Sequence, residues 1–204
     1  MEYRREIMEV RALSHSITRR YSIQGLWSLF LMCAFPLHLW AMILIFRDMS
    51  WVIERTNVWD AIGVGSYGMI RAFVESVVVF VIFTVLGFLT PANWMIDRRI
   101  AFLSLLVILL SAWGMIAQLL FLWKVSPPES VLRFLAESGH PVRIMVAASL
   151  AIVTPTILVP VFLFLRWDKV VGSIQELSER LSLLTMFYLI FDLAGLVIVL
   201  IRNL

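Results

Sequence analysis

The chain has 204 residues, 61% of them apolar and only 15% charged, with a net charge of +3 and a pI near 9.4. Soluble domains carry about 45–50% apolar and about 25% charged residues, so an ordinary water-soluble globule is excluded. The basic residues are dispersed along the chain, which argues against nucleic acid as a partner, and a lone cysteine, Cys33, forbids an intramolecular disulfide.

Residues 1–22 read as a basic cytoplasmic tail. The tail is too charged, and the apolar run after it too long, for a cleaved signal peptide. Ile7, Val10, Leu13 and Ile17 recur at three- and four-residue steps between arginines, the pattern of an amphipathic helix on a membrane surface.

Five apolar stretches follow. A hydrocarbon core of about 30 Å needs roughly 20 apolar residues in a helix, because lipid offers no partner to an unpaired backbone amide. The stretches run from Ile23 to Phe46, Met69 to Leu89, Ile100 to Trp123, Arg143 to Leu165 and Ser182 to Ile201. Charge or proline closes each of them: Arg47-Asp48, Thr90-Pro91, Asp97-Arg98-Arg99, Lys124, Arg166 and Arg202.

The connections carry their own signals. Residues 47–68 are long for a loop, and Trp51, Val52, Arg55, Trp59 and Ile62 share a helical face, which predicts an interfacial helix. Gly63, Gly65 and Gly68 match the dinucleotide-fingerprint spacing. No strand or βαβ unit accompanies them, so they read as a flexible hinge into the second span. Pro127-Pro128 opens a second short amphipathic segment and Gly139-His140-Pro141 ends it. Ile174, Leu177, Leu181 and Leu184 predict a helix running into the fifth span.

The expected fold is therefore all-α: one integral domain over residues 1–204, a polytopic bundle of about five transmembrane helices with short amphipathic interfacial helices. Basic loops stay on the cytoplasmic side. Arg4, Arg5, Arg11, Arg19, Arg20, Arg98, Arg99, Arg166, Lys169 and Arg180, ten of the 17 Lys and Arg, fall on the N-terminal side. This places the N-terminus in the cytoplasm and the C-terminus outside, and the compact layout fits a bacterial-type plasma membrane.

Chemistry is sought among the polar residues that lipid makes expensive: Asp192, His38, Glu75, Arg71, Gln118 and Thr154. A carboxylate at mid-membrane costs about 2.5–3.5 kcal/mol and so faces the bundle interior beside a partner. Counting from span midpoints at 1.5 Å per residue puts Asp192 and Thr154 near the centre and His38 and Glu75 roughly 5–6 Å outward. Gln118 and Arg71 lie roughly 10–12 Å outward on the same count. This distribution predicts a cavity opening to the outside. Arg71 and Glu75, four apart on one helix, predict an ion pair. Thr154-Pro155-Thr156 and Pro160 interrupt the fourth span, and Ala147 and Ala151 suit close helix packing. No residue spacing resembles a metal site, cofactor motif or nucleophile dyad, so no metal and no cofactor are expected.

Three functional readings follow. The leading one is a non-catalytic accessory or assembly subunit of a membrane complex, its partners the lipid bilayer and either another membrane protein or a second copy of the chain. The alternatives are a small-molecule or ion transporter using a protonatable Asp192 with His38 or Glu75, and a membrane enzyme acting on a lipid-linked substrate at the outer face.

Overall fold

The computed structural model describes residues 21–204. The amphipathic tail helix expected before Tyr21 falls outside them. Helix α1 spans Ile23–Arg55 and α2 Val58–Leu86, which ends in a single 3-10 turn, Gly87–Leu89. Then come α3 (Ile96–Leu122), the short α4 (Glu129–Glu137), α5 (Pro141–Arg166) and α6 (Asp168–Asn203). All but α4 are long and apolar enough to cross a membrane, so the all-α multi-pass architecture stands. We call the end of the bundle where α1 begins the N-terminal face.

Local chemistry sets the helix ends. The Ser22 hydroxyl accepts from the Gly25 amide at 2.9 Å and caps α1. At the far end the Thr56 hydroxyl donates to the Val52 carbonyl at 2.8 Å, and the Asn57 side chain accepts from the Asp60 amide at 2.9 Å, starting α2 at once. The connection expected over 47–68 is thus only Thr56-Asn57; the rest belongs to two long helices, not to a separate interfacial one. Hydropathy marks where lipid ends, whereas the end of α1 is set here by the Thr56-Asn57 caps.

The glycine hinge is corrected by the same helices, since Gly63, Gly65 and Gly68 all lie inside α2. Their missing side chains make room for neighbours. A Cβ on Gly63 would meet the Arg202 guanidinium at 2.5 Å, and one on Gly68 would meet Ile45 at 3.3 Å. Arg202 lies across that notch and donates to the Trp59 carbonyl at 2.6 Å and the Asp60 carboxylate at 2.7 Å.

The second short segment follows expectation: α4 starts after Pro128 and buries Leu135, and Gly139, at φ 69°, turns the chain into Pro141. Helix α1 is the hub, packed by α2, α3 and α6. Tyr21, Leu29, Cys33, Phe83, Ile100 and Leu103 form its main apolar cluster, towards the N-terminal face. Helix α5 is peripheral: only 6% of its most apolar window is buried inside the chain, against 39% in α1. A bond from Trp113 Nε1 to the Thr156 hydroxyl, 2.9 Å, ties it to α3.

Candidate site: a buried His–Asp pair

The intramembrane aspartate finds its partner. Asp192 Oδ2 lies 2.8 Å from His38 Nε2, with the histidine side chain fully enclosed and the aspartate 10% exposed. The other ring nitrogen, Nδ1, is 2.8 Å from the Ala34 carbonyl. A carbonyl only accepts, so Nδ1 carries a proton, and a single further proton lies between Nε2 and Oδ2. Whether it sits on the imidazole or on the carboxyl, the pair is neutral as a unit. That neutrality lets it stay inside a low-dielectric bundle.

The surroundings hold the ring. The Tyr188 ring lies parallel to the imidazole, at 5.9 Å between centroids and 5° between planes, with Phe35 stacked beyond at 6.4 Å. One turn past Asp192, a Cβ on Gly195 would come within 3.3 Å of the Ser66 carbonyl oxygen, so the glycine lets α6 approach α2. By helix rise, His38 is about 22 Å along α1 from Ile23 and Asp192 about 16 Å from the end of α6, which puts the pair deep in the bundle.

The six residues singled out from the sequence do not form one cavity. Arg71 and Glu75 make the expected ion pair, Nε to Oε1 at 2.7 Å, but on an exposed flank. With Gln118, Asp48 and Trp40 they line a groove of about 520 Å³ between α1 and α2, which includes neither His38 nor Asp192. Glu75 is therefore not the partner of Asp192. Thr154 is exposed on peripheral α5, away from both groups. The single outward-opening cavity is corrected accordingly: depth along a helix does not determine which way a side chain faces.

Two features were not legible as a site. Arg99, a boundary charge by sequence, is 1% exposed and donates from Nε to the Thr90 hydroxyl at 2.8 Å and from Nη2 to the Pro91 carbonyl at 3.1 Å. The signal for it was Thr90-Pro91, which leaves acceptors near an arginine. The second is the face of α6, where Ser178, Ser182 and Thr185 are buried while Leu177 and Leu184 are exposed. In water the leucines would turn inward; in lipid the polar face does. The signal was hydroxyl residues spaced by four and three ahead of Asp192.

An apolar groove of about 810 Å³, lined by Trp27, Phe30, Phe73, Phe80 and Leu193, also reaches one edge of Asp192. At the N-terminal face a polar vestibule of about 700 Å³ is lined by Gln24, Ser28, Asp97, Gln175, Ser178 and Ser182.

Comparison with known proteins gives no match: no family model fits the chain, and no curated protein or solved structure is similar to it.

Proposed function

We propose that the chain is a non-catalytic assembly or accessory subunit of a membrane complex. The observation that carries this reading is α5, the least buried of the apolar helices. Large apolar side chains are exposed all round it, Val146, Leu150, Ile152, Leu158 and Phe162 among them. Ala147, Ala148 and Ala151 are also exposed, so the small surface on which membrane helices pack closely is unused within the chain. A partner helix is the occupant this reading assigns to it. A photo-crosslinker at Ala148 or Ala151 should give a discrete protein adduct in native membranes, and one at Val78 on α2 should not. Adducts to lipid alone at all three positions would sink the reading.

A second reading, a proton-coupled transporter, is favoured by the His38–Asp192 pair, since an enclosed pair sharing one proton suits a protonatable transport site. Asp192→Asn should then abolish proton-dependent flux in liposomes while leaving the folded protein intact. Equal flux with and without the substitution would remove it. The membrane-enzyme reading gains no support from this geometry.

A further inference from the structure

Buried polar atoms normally find partners, and each exception asks for a reason. Among the described residues, Ser104 Oγ, Ser178 Oγ, Ser182 Oγ and Asp192 Oδ1 are buried without one, the remaining case being Arg98 Nε. Three of these oxygens belong to α6, and Ser104 to α3, which packs against it. At about 100° per residue, Ser178, Ser182, Thr185 and Asp192 fall within roughly a quarter of the helix circumference. They form a polar seam. Its outer end is in the wall of the N-terminal vestibule, which Ser178 and Ser182 line. Its inner end is the His38–Asp192 pair.

We propose that this seam is a water path for protons, leading from the vestibule at the N-terminal face to the His38–Asp192 pair, with Leu189 as its apolar barrier. The proposal rests on the pair invoked by the transport reading, but concerns access to it and not the movement of a substrate. From Ser182 to Asp192 is about 15 Å of helix, half the thickness of a hydrocarbon core. Hydroxyls both donate and accept, so an enclosed row of them with open valences suits bridging water. Between Thr185 and Asp192, Leu189 alone occupies this arc of α6, over about 10 Å. Beyond the pair the seam stops: Leu196 continues the arc, and Gly195 presses α6 against the α2 backbone. The groove that reaches Asp192 from the side is lined by apolar residues, so the hydroxyl row leads to one face only.

The step is a proton transfer: the proton shared by Nε2 and Oδ2 passes to water and another returns. Tyr188 on α6 stacks on the imidazole, and Cys33 precedes His38 on α1 by five residues, about 7.5 Å of helix. From α2, Arg71 and Glu75 face the separate groove beside Gln118 and Asp48, and Asp60 holds Arg202. The charged groups of α3, Asp97, Arg98 and Arg99, lie in its first turn at the vestibule end.

Two measurements on the full chain in lipid test the path. In a Cys33→Ala background, S182C and T185C should react with a membrane-impermeant thiol reagent applied at the N-terminal face and not at the other. F187C, on the exposed flank, should stay unlabelled from both. The chain has three histidines, so ¹⁵N-histidine labelling with His38→Asn as the assignment control isolates the His38 ring signals. L189S, which completes the seam, should speed exchange of the Nε2 proton with water by about tenfold or more, since it replaces the one apolar gap by a polar group. S182L should slow it. Silence of both seam cysteines, labelling equal from both faces, or exchange indifferent to L189S and S182L would overturn the proposal. None of these readouts depends on flux, so failure of the transport reading is separately visible.

Discussion

His38 on α1 and Asp192 on α6, 154 positions apart in the chain, meet at 2.8 Å as an enclosed pair that locks the first apolar helix to the last. Removing one partner leaves a polar group buried without compensation, which costs about 3–5 kcal/mol, whereas replacing both by apolar residues is often nearly neutral. His38→Leu and Asp192→Leu should each destabilise the detergent-solubilised protein by that order, and the double variant should recover most of the loss. Thermal unfolding of the three variants checks this. Additive losses would mean that the two groups are not coupled.

Gly87 follows α2 where the Tyr21 hydroxyl donates to the Thr84 carbonyl at 2.7 Å. A Cβ there would collide with that hydroxyl. Gly87→Ala should cost about 1–3 kcal/mol, the range for overpacking, and Tyr21→Phe in the same chain should restore part of it. Melting temperatures that show no interaction between the substitutions would contradict this packing.

The notch at Gly63 predicts a related effect at the other end of the bundle. Gly63→Leu should eject Arg202 and break its bonds to Trp59 and Asp60, a loss of about 1.5–3 kcal/mol for hydrogen bonds to a charged group. Arg202→Lys should behave similarly, because a lysine cannot span both acceptors as the guanidinium does. Hydrogen exchange at the first turn of α2 reports the change directly, and unaltered protection there would refute it.

Arg71 and Glu75 should behave unlike the buried pair. The Arg71 side chain is 80% and the Glu75 side chain 46% exposed, on the wall of the groove that Asp48 and Gln118 also line, so with water filling that groove Glu75→Gln should change stability by less than about 1 kcal/mol. Exchanging the two, as R71E/E75R, should leave expression and melting close to the parent. A loss as large as that of Asp192→Leu would place the pair in an enclosed environment that this geometry does not provide.

Much of the fold was legible because lipid imposes one strict rule, that every backbone group be satisfied within its own segment. The apolar run and the helix begin together at Ile23 because Ser22 caps α1, whereas α3 begins at Ile96, one turn before the apolar run at Ile100, since its charged first turn is already helical. The end of α1 and the start of α2 are not legible in hydropathy, because nothing in residues 47–68 stops a helix except Thr56-Asn57, and hydropathy does not detect a cap. Within the site, Arg71–Glu75 was readable from its four-residue spacing, a property of one helix. Its separation from Asp192 was not, because facing depends on how α1, α2 and α6 are rotated against one another.

Composition and hydropathy alone determined that these helices suit lipid, how many there are, and that an aspartate at position 192 requires a partner inside the bundle. Only the tertiary structure decided that His38 is that partner, that Glu75 is not, and that the serine face of α6 turns inward while Leu177 and Leu184 turn out. The physical reason is that the solvent acts on each segment separately, through its length and polarity. Pairing across helices depends on local shape, here on the missing side chain of Gly195 that brings α6 against α2 beside the pair.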